Sequence, residues 1–238
     1  MKIEGATAFV TGANRGLGLA FTRALLERGA AKVYAGVRDP ASVTLSGVMP
    51  IRLDVTKDED AAAAARQASD VTLLINNAGL AKIGAFLDDG AIEAAREHFE
   101  VNVLGPLRMA RAFAPVLKKN GGGAIVNVLS VASWINGPLL ATYGASKSAA
   151  WALTNGLRIE LEGQGTQVLG LHAGFIDTDM ARDVAAPKSP PEVIAREALD
   201  ALERGERQVL ADALTKQVHR GLSAEQAVYL SAVERPAA

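Results

Sequence analysis

At 238 residues the chain has room for one large α/β domain or two small ones, and 49% hydrophobic against 21% charged residues lets it bury a full core, which excludes collagen-like, disordered and disulfide-stapled classes. With 25 basic and 26 acidic side chains, the net charge of -1 leaves no electrostatic footprint for nucleic acid or an anionic membrane, so the expected partners are small molecules or protein. The absence of cysteine removes thiolate nucleophiles and cysteine zinc sites and favours a reducing compartment.

Met1-Lys2-Ile3-Glu4 runs straight into an apolar strand pattern without the charged and long apolar regions of a leader, so a soluble, unprocessed, cytoplasmic protein is expected. Short β-branched runs follow at residues 7–10, 32–35, 50–53, 71–75, 124–128 and 167–171, each of strand length. Between them, residues 17–28, 57–68, 93–118 and 143–162 carry helix formers. Residues 37–49 leave space for only a stub of helix in the second crossover. Apolar strands alternating with helices predict a parallel sheet covered on both faces: a doubly wound α/β fold of the Rossmann type, about seven strands in a single domain over 1–238. Residues 207–210 are the expected seventh strand, followed by helices near 213–220 and 224–233. Pro187-Lys188-Ser189-Pro190-Pro191 reads as a loop within the domain.

The first strand ends in Thr11-Gly12-Ala13-Asn14-Arg15-Gly16-Leu17-Gly18, and a helix follows at once. Glycines at such a turn let the backbone approach a pyrophosphate, whose charge meets the unpaired N–H groups of the helix N-terminus. A P-loop is excluded because no Gly-Lys-Ser/Thr ending is present. Further along come Leu53-Asp54-Val55, Asn76-Asn77-Ala78-Gly79, Asn102 within Val101-Asn102-Val103, Ser130, and Tyr143-Gly144-Ala145-Ser146-Lys147.

In order and spacing, including the thirteen residues from Ser130 to Tyr143, this set resembles the short-chain dehydrogenase/reductase family in its single-domain branch, and the resemblance covers nearly the whole chain. It implies a nicotinamide dinucleotide held by Gly12, Asn14, Arg15, Gly16, Leu17, Gly18, Arg38, Asp54, Val55, Asn77, Ala78, Gly79, Tyr143, Lys147, Gly174, Ile176 and Thr178. It also implies Asn102, Ser130, Tyr143 and Lys147 as the catalytic set. Asn102 would hold a water in the proton relay, and Lys147 would also bind the nicotinamide ribose. Two positions depart from the family: Ala173-Gly174 after His172 stands where Pro-Gly is usual, which should loosen that turn slightly, and the common Val-Asp-Gly-Gly near the C-terminus is missing.

The residues themselves support acid–base chemistry. A tyrosine phenolate at neutral pH costs roughly 4 kcal/mol, and Lys147, four residues along the same predicted helix, shares a face with Tyr143 and favours that anion. In the reduction direction the phenol serves as general acid, with Ser130 donating a hydrogen bond to the same oxygen. The resemblance also implies that Ala81, Ile83, Trp134, Ile135, Pro138, Leu139, Phe175 and Met180 stand beside the reacting carbon, with 175–192 as a substrate loop, so a small or medium apolar ketone or aldehyde is expected. By the same resemblance Val37 occupies the acidic NAD-selecting position, and with Arg38 after it and Arg15 in the glycine turn this is similar to the family's NADP-dependent members, so NADP(H) is expected, with Asp39 as the counterargument.

His98, His172 and His219 show no ligand spacing and read as structural or surface residues, and no metal site is expected. Asp88-Asp89 reads as a helix N-cap and Asp177/Asp179 as a solvated turn. The uncharged run Ser148 to Leu157 and the sparsely charged Val101 to Leu117 predict a homodimer or homotetramer. The leading reading is an NADP-dependent carbonyl reductase or alcohol dehydrogenase. A silent dinucleotide-binding redox sensor is the first alternative and a non-redox lyase or epimerase the second.

Overall fold

Successive side chains of the first strand part to opposite faces: Ala8 and Val10 enter one core and Phe9 the other. The computed structural model describes residues 1–137 and 140–230. Its strands are β1 (Thr7–Thr11), β2 (Lys32–Val37), β3 (Met49–Arg52), β4 (Leu73–Asn76), β5 (Ala124–Val128), β6 (Gln167–His172) and β7 (Gln208–Leu210). All seven pair in parallel, as the sequence pattern predicts, and their order in the sheet is β3-β2-β1-β4-β5-β6-β7.

The helices are α1 (Gly16–Glu27), α2 (Asp58–Gln67), α3 (Ala91–Phe99), α4 (Gly105–Lys119), α5 (Ala141–Glu160), α6 (Pro191–Glu203) and α7 (Ala213–Gly221). On one face, Phe21 and Leu25 of α1 and Leu199 and Leu202 of α6 pack on Val10, Ile75 and Leu169. On the other, Ala64 of α2, Met109, Phe113 and Leu117 of α4 and Leu157 of α5 cover Phe9, Leu74 and Ile125. Each large side chain so buried contributes roughly 1.5–3 kcal/mol. The chain leaves β3 at one edge and returns on the far side of β1 as β4, so a crevice opens where the direction of winding reverses, at the carboxyl ends of the strands.

Three expectations need correction. The stretch 93–118 is not one helix: α3 and α4 are separated by a π-helical turn over Glu100–Leu104, where the Gly105 N–H reaches back five residues to the Glu100 carbonyl. Such bulges let a side chain turn inward, here Asn102. The proline patch does not stay a loop to its end, because Pro191 opens α6, a position where the missing N–H is no loss. Helix is also absent from 224–230, where only a 3-10 turn at Val228–Leu230 forms, and 231–233 lie outside the described residues. The second crossover is as short as expected, a 3-10 turn at Pro40–Ser42. Among the described residues no helix is long and apolar enough to cross a membrane.

Candidate active site

The crevice is about 1930 Å³ in volume, and the glycine turn forms one end of it. Gly12 (φ +67) and Gly16 (φ +53) adopt left-handed backbone, and a Cβ on Gly18 would stand 2.1 Å from the Gly12 carbonyl oxygen, so no side chain fits there. Asn77 clamps this turn from β4: its Nδ2 donates to the carbonyls of Thr11 at 2.9 Å and Gly12 at 3.3 Å. Thr11 Oγ1 accepts the N–H groups of Asn77 and Ala78 in return. The first turn of α1 carries neither an acidic residue nor a capping side chain, and Gly16, Leu17 and Gly18 line the crevice, so its N–H groups suit a phosphate. A dinucleotide fits this cradle.

Beyond β2, the Asp39 carboxylate accepts the Ala41 N–H at 3.0 Å and so caps the short turn, leaving Arg38 exposed at the crevice beside Val37. Asn14 Nδ2 donates to Ser42 Oγ at 3.1 Å and joins this turn to the glycine turn. Arg15 reaches across the crevice to Asp179, 3.1 Å away. Asp54 is bound to Thr56 through its N–H and hydroxyl, which hold the carboxyl below the usual carboxylate range.

Deeper in the crevice, Ser130 caps a 3-10 turn after β5, its Oγ accepting the Ala132 N–H at 3.1 Å. Tyr143 and Lys147 extend from the first turns of α5, with Lys147 Nζ 5.7 Å from the centre of the Tyr143 ring and donating to the Val128 carbonyl at 2.8 Å. Burial pushes the Tyr143 phenol up, and a hydrogen bond with the Ser130 hydroxyl partly offsets this. Burial also brings the Lys147 ammonium down to about 8. In the protein alone the phenol is therefore neutral, the form that can give up a proton. Asn102 is held by its side chain, which accepts the Leu80 N–H at 2.8 Å and donates to the Leu80 carbonyl at 2.9 Å and Ser146 Oγ at 3.0 Å.

A family model described as short chain dehydrogenase matches residues 6–189. The chain belongs to the short-chain dehydrogenase family. Galactitol 2-dehydrogenase (L-tagatose-forming) of Cereibacter sphaeroides is 37% identical over 191 residues, covering 75% of this chain and 74% of that one. The short chain dehydrogenase tazN of Aspergillus terreus (strain NIH 2624 / FGSC A1156) is 32% identical over 197 residues, and the match spans 76% of this chain but only 43% of that longer protein. A short chain dehydrogenase from Burkholderia cenocepacia J2315, solved in complex with NADP, superposes with a TM-score of 0.91 at 46% identity, covering 95% of this chain and 96% of that one.

Within this short-chain dehydrogenase the crevice gathers most of the residues singled out from sequence: the glycine turn, Arg38, Asp54, Val55, Asn77, Ala78, Gly79, Ser130, Tyr143, Lys147, Gly174, Ile176 and Thr178, with Ala81, Ile83, Phe175 and Met180. Trp134 and Ile135 are not among its walls. Trp134 stacks on His172 with ring centroids 3.9 Å apart and meets Trp151 and His219, an aromatic cluster that holds its ring away from the crevice. Leu139 and Pro138 lie outside the described residues. The loop after β6 is tied at its base, Ser189 donating to the Phe175 carbonyl and Asp177 to that of Ser189, and the last two residues of 175–192 belong to α6.

The expected loosening at Ala173-Gly174 is met by Asp212, directly after β7: its carboxylate takes the Gly174 N–H at 2.5 Å and caps α7 through Thr215. Asp88 does not cap α3. It accepts the Ala85 N–H at 2.7 Å in the preceding turn. Asp179 is not simply solvated, since it pairs with both Arg15 and Arg182. His98 and His172, read from sequence as structural or surface residues, and Asp212, which no motif marks, each bind main-chain atoms far along the chain.

Proposed function

We propose that this chain is an NADP(H)-dependent oxidoreductase that moves a hydride between the nicotinamide and a small or medium apolar ketone or aldehyde, or the corresponding secondary alcohol, with Tyr143 as general acid and base. The observation that carries this reading is the convergence of the Tyr143 phenol, the Ser130 hydroxyl and the Lys147 ammonium on one crevice. At about 1930 Å³ the crevice exceeds the ~300–1,000 Å³ of an ordinary ligand pocket, which suits a dinucleotide and a substrate together. Ala81, Ile83, Val131, Leu140, Phe175 and Met180 give the substrate end an apolar lining.

A nicotinamide dinucleotide bound along Gly12–Gly18, Asp54–Val55 and Asn77–Gly79 supplies or accepts the hydride. The protein does the rest. Ser130 donates to the carbonyl oxygen and orients it, and Tyr143 delivers its proton to that oxygen. Lys147, anchored to the Val128 carbonyl, stabilises the phenolate that remains. For alcohol oxidation the same groups work in reverse.

Preference for NADP(H) is supported by the neutral Val37, by Arg38, and by the use of the Asp39 carboxylate in its own turn. Arg15 contributes once it leaves Asp179, an exposed ion pair of the weak kind that a phosphate readily displaces. The Burkholderia cenocepacia structure in complex with NADP supports the same choice. The intact catalytic set speaks against a silent redox sensor. The lack of cysteine supports a cytoplasmic location. Ser148, Ala152 and Ile159 leave an exposed, uncharged outer face on α5, which supports a homo-oligomer. Loss of NADPH absorbance with neutral apolar carbonyls but not with anionic or phosphorylated ones is the expected result. The opposite preference would overturn the substrate class.

A further inference from the structure

Two polar side chains about one helical turn apart grip the segment that follows β4. Asn102, in the π-helical turn, binds both the N–H and the carbonyl of Leu80. His98, fully buried near the end of α3, accepts the Lys82 N–H through Nε2 at 2.9 Å. Of this segment, Gly79, Leu80, Ala81, Ile83 and Ala85 line the crevice, so its two grips hold a wall of that crevice.

Because Nε2 accepts, the ring hydrogen sits on Nδ1 and is donated to Thr142 Oγ1 at 2.9 Å. Thr142 is the neighbour of Tyr143, whose ring meets the imidazole edge-on with centroids 6.0 Å apart. The Ala141 N–H also reaches the Gly84 carbonyl, 3.3 Å away. One neutral imidazole thus couples the crevice wall to the start of α5.

We propose that His98 is a positioning residue for the substrate wall: by holding Lys82 it fixes where Ala81 and Ile83 stand relative to the Tyr143 hydroxyl, and it does so only as neutral imidazole. The inference rests on reading this crevice as the carbonyl site. Protonation makes both ring nitrogens donors, so the Lys82 N–H faces a second donor and the wall segment is released. The charges around the ring are Lys82 on the wall, Lys147 on α5 and Glu97 on α3, with the neutral Tyr143 phenol at its edge. Burial is the largest influence and, with the two lysines, holds the imidazole below its usual range, while Glu97 opposes them. The neutral form therefore persists into mildly acid solution.

The test follows KM for an apolar ketone in the NADPH-dependent reduction from about pH 8 down to pH 5. In the wild type, KM should rise about tenfold toward acid with a smaller change in kcat, the size expected for one lost hydrogen bond. His98→Ala should show the raised KM at every pH. His98→Gln, which can accept from Lys82 but does not titrate, should keep the neutral KM throughout. Hydrogen exchange of residues 80–84 supplies a readout free of turnover: protected at neutral pH and released in acid for the wild type, released at all pH for His98→Ala. A pH-independent exchange in the wild type, or a variant that loses kcat with KM unchanged, overturns the proposal. If the wild type reduces no carbonyl at all, the oxidoreductase reading fails while the exchange measurement still decides the role of His98.

Discussion

His172 donates its Nδ1 hydrogen to the main-chain carbonyl of Ser130 at 3.1 Å, from a fully buried position at the end of β6. The carbonyl can only accept, so the ring is the Nδ1–H tautomer, and its Nε2 has no hydrogen-bond partner among the described residues. Burial, the largest cause, brings its pKa down to about 4. His172 therefore works as a neutral donor that sets the turn on which Ser130 sits.

His172→Phe should keep the stack on Trp134 and lose the hold on Ser130. Turnover should fall about fivefold to tenfold, with NADPH affinity unchanged by fluorescence titration. Stability gives a second reading. The unfolded imidazole takes a proton below pH 6.5 and the folded one only near 4, so stability contributed by the neutral ring is complete above 6.5 and declines as pH falls through that window. The full effect is on the order of 3 kcal/mol. Urea denaturation at several pH values should show this acid loss in the wild type and a smaller one in the variant.

Tyr143→Phe removes the acidic oxygen and leaves the ring. Activity should drop by ~10²–10⁴-fold while the cofactor still binds. Retention of more than about a tenth of wild-type activity would falsify the assignment of Tyr143 as proton donor.

Lys147 should impose the alkaline limit of carbonyl reduction. Its ammonium, brought by burial down to about 8, discharges as pH rises through that value, and kcat/KM should fall there. Lys147→Arg keeps a permanent cation, so its slower reaction should show no such fall. An alkaline limb of the same shape in both proteins would place the titration elsewhere.

The cofactor choice is open to inversion. Two charge-assisted contacts from Arg15 and Arg38 should favour NADPH over NADH by at least ~100-fold in kcat/KM. The double change Val37→Asp with Arg38→Ala should reverse that order, because a carboxylate there accepts from a free ribose hydroxyl. Equal use of both cofactors by the wild type would refute the NADP(H) reading.

On the outer face of α5, Ile159 is 77% exposed, and Ser148 and Ala152 are exposed and uncharged. Placing charges there, as in Ala152→Glu with Ile159→Lys, should convert a homo-oligomer to a monomer by light scattering. A wild type that is already monomeric at micromolar concentration would remove the basis for this prediction.

The sheet, its crossovers and the glycine turn were legible in the chain itself, because they depend on local patterns, whereas most of the other crevice residues came from the resemblance to short-chain dehydrogenases. Alternating apolar runs specify parallel strands, and Gly12, Gly16 and Gly18 mark a turn where the backbone must come close. Tyr143 and Lys147 lie one turn apart on a helix wherever that helix goes. What the tertiary structure alone decided are the contacts between distant segments. The family pattern placed Trp134 beside the reacting carbon, but its ring stacks on His172, 38 positions away. The π-helical turn that carries Asn102, and the bonds of its amide to the Leu80 main chain, likewise depend on distant contacts. Asp212, His98 and His172 act on main-chain atoms of Gly174, Lys82 and Ser130, and a main-chain partner leaves no side-chain signature for a motif to record.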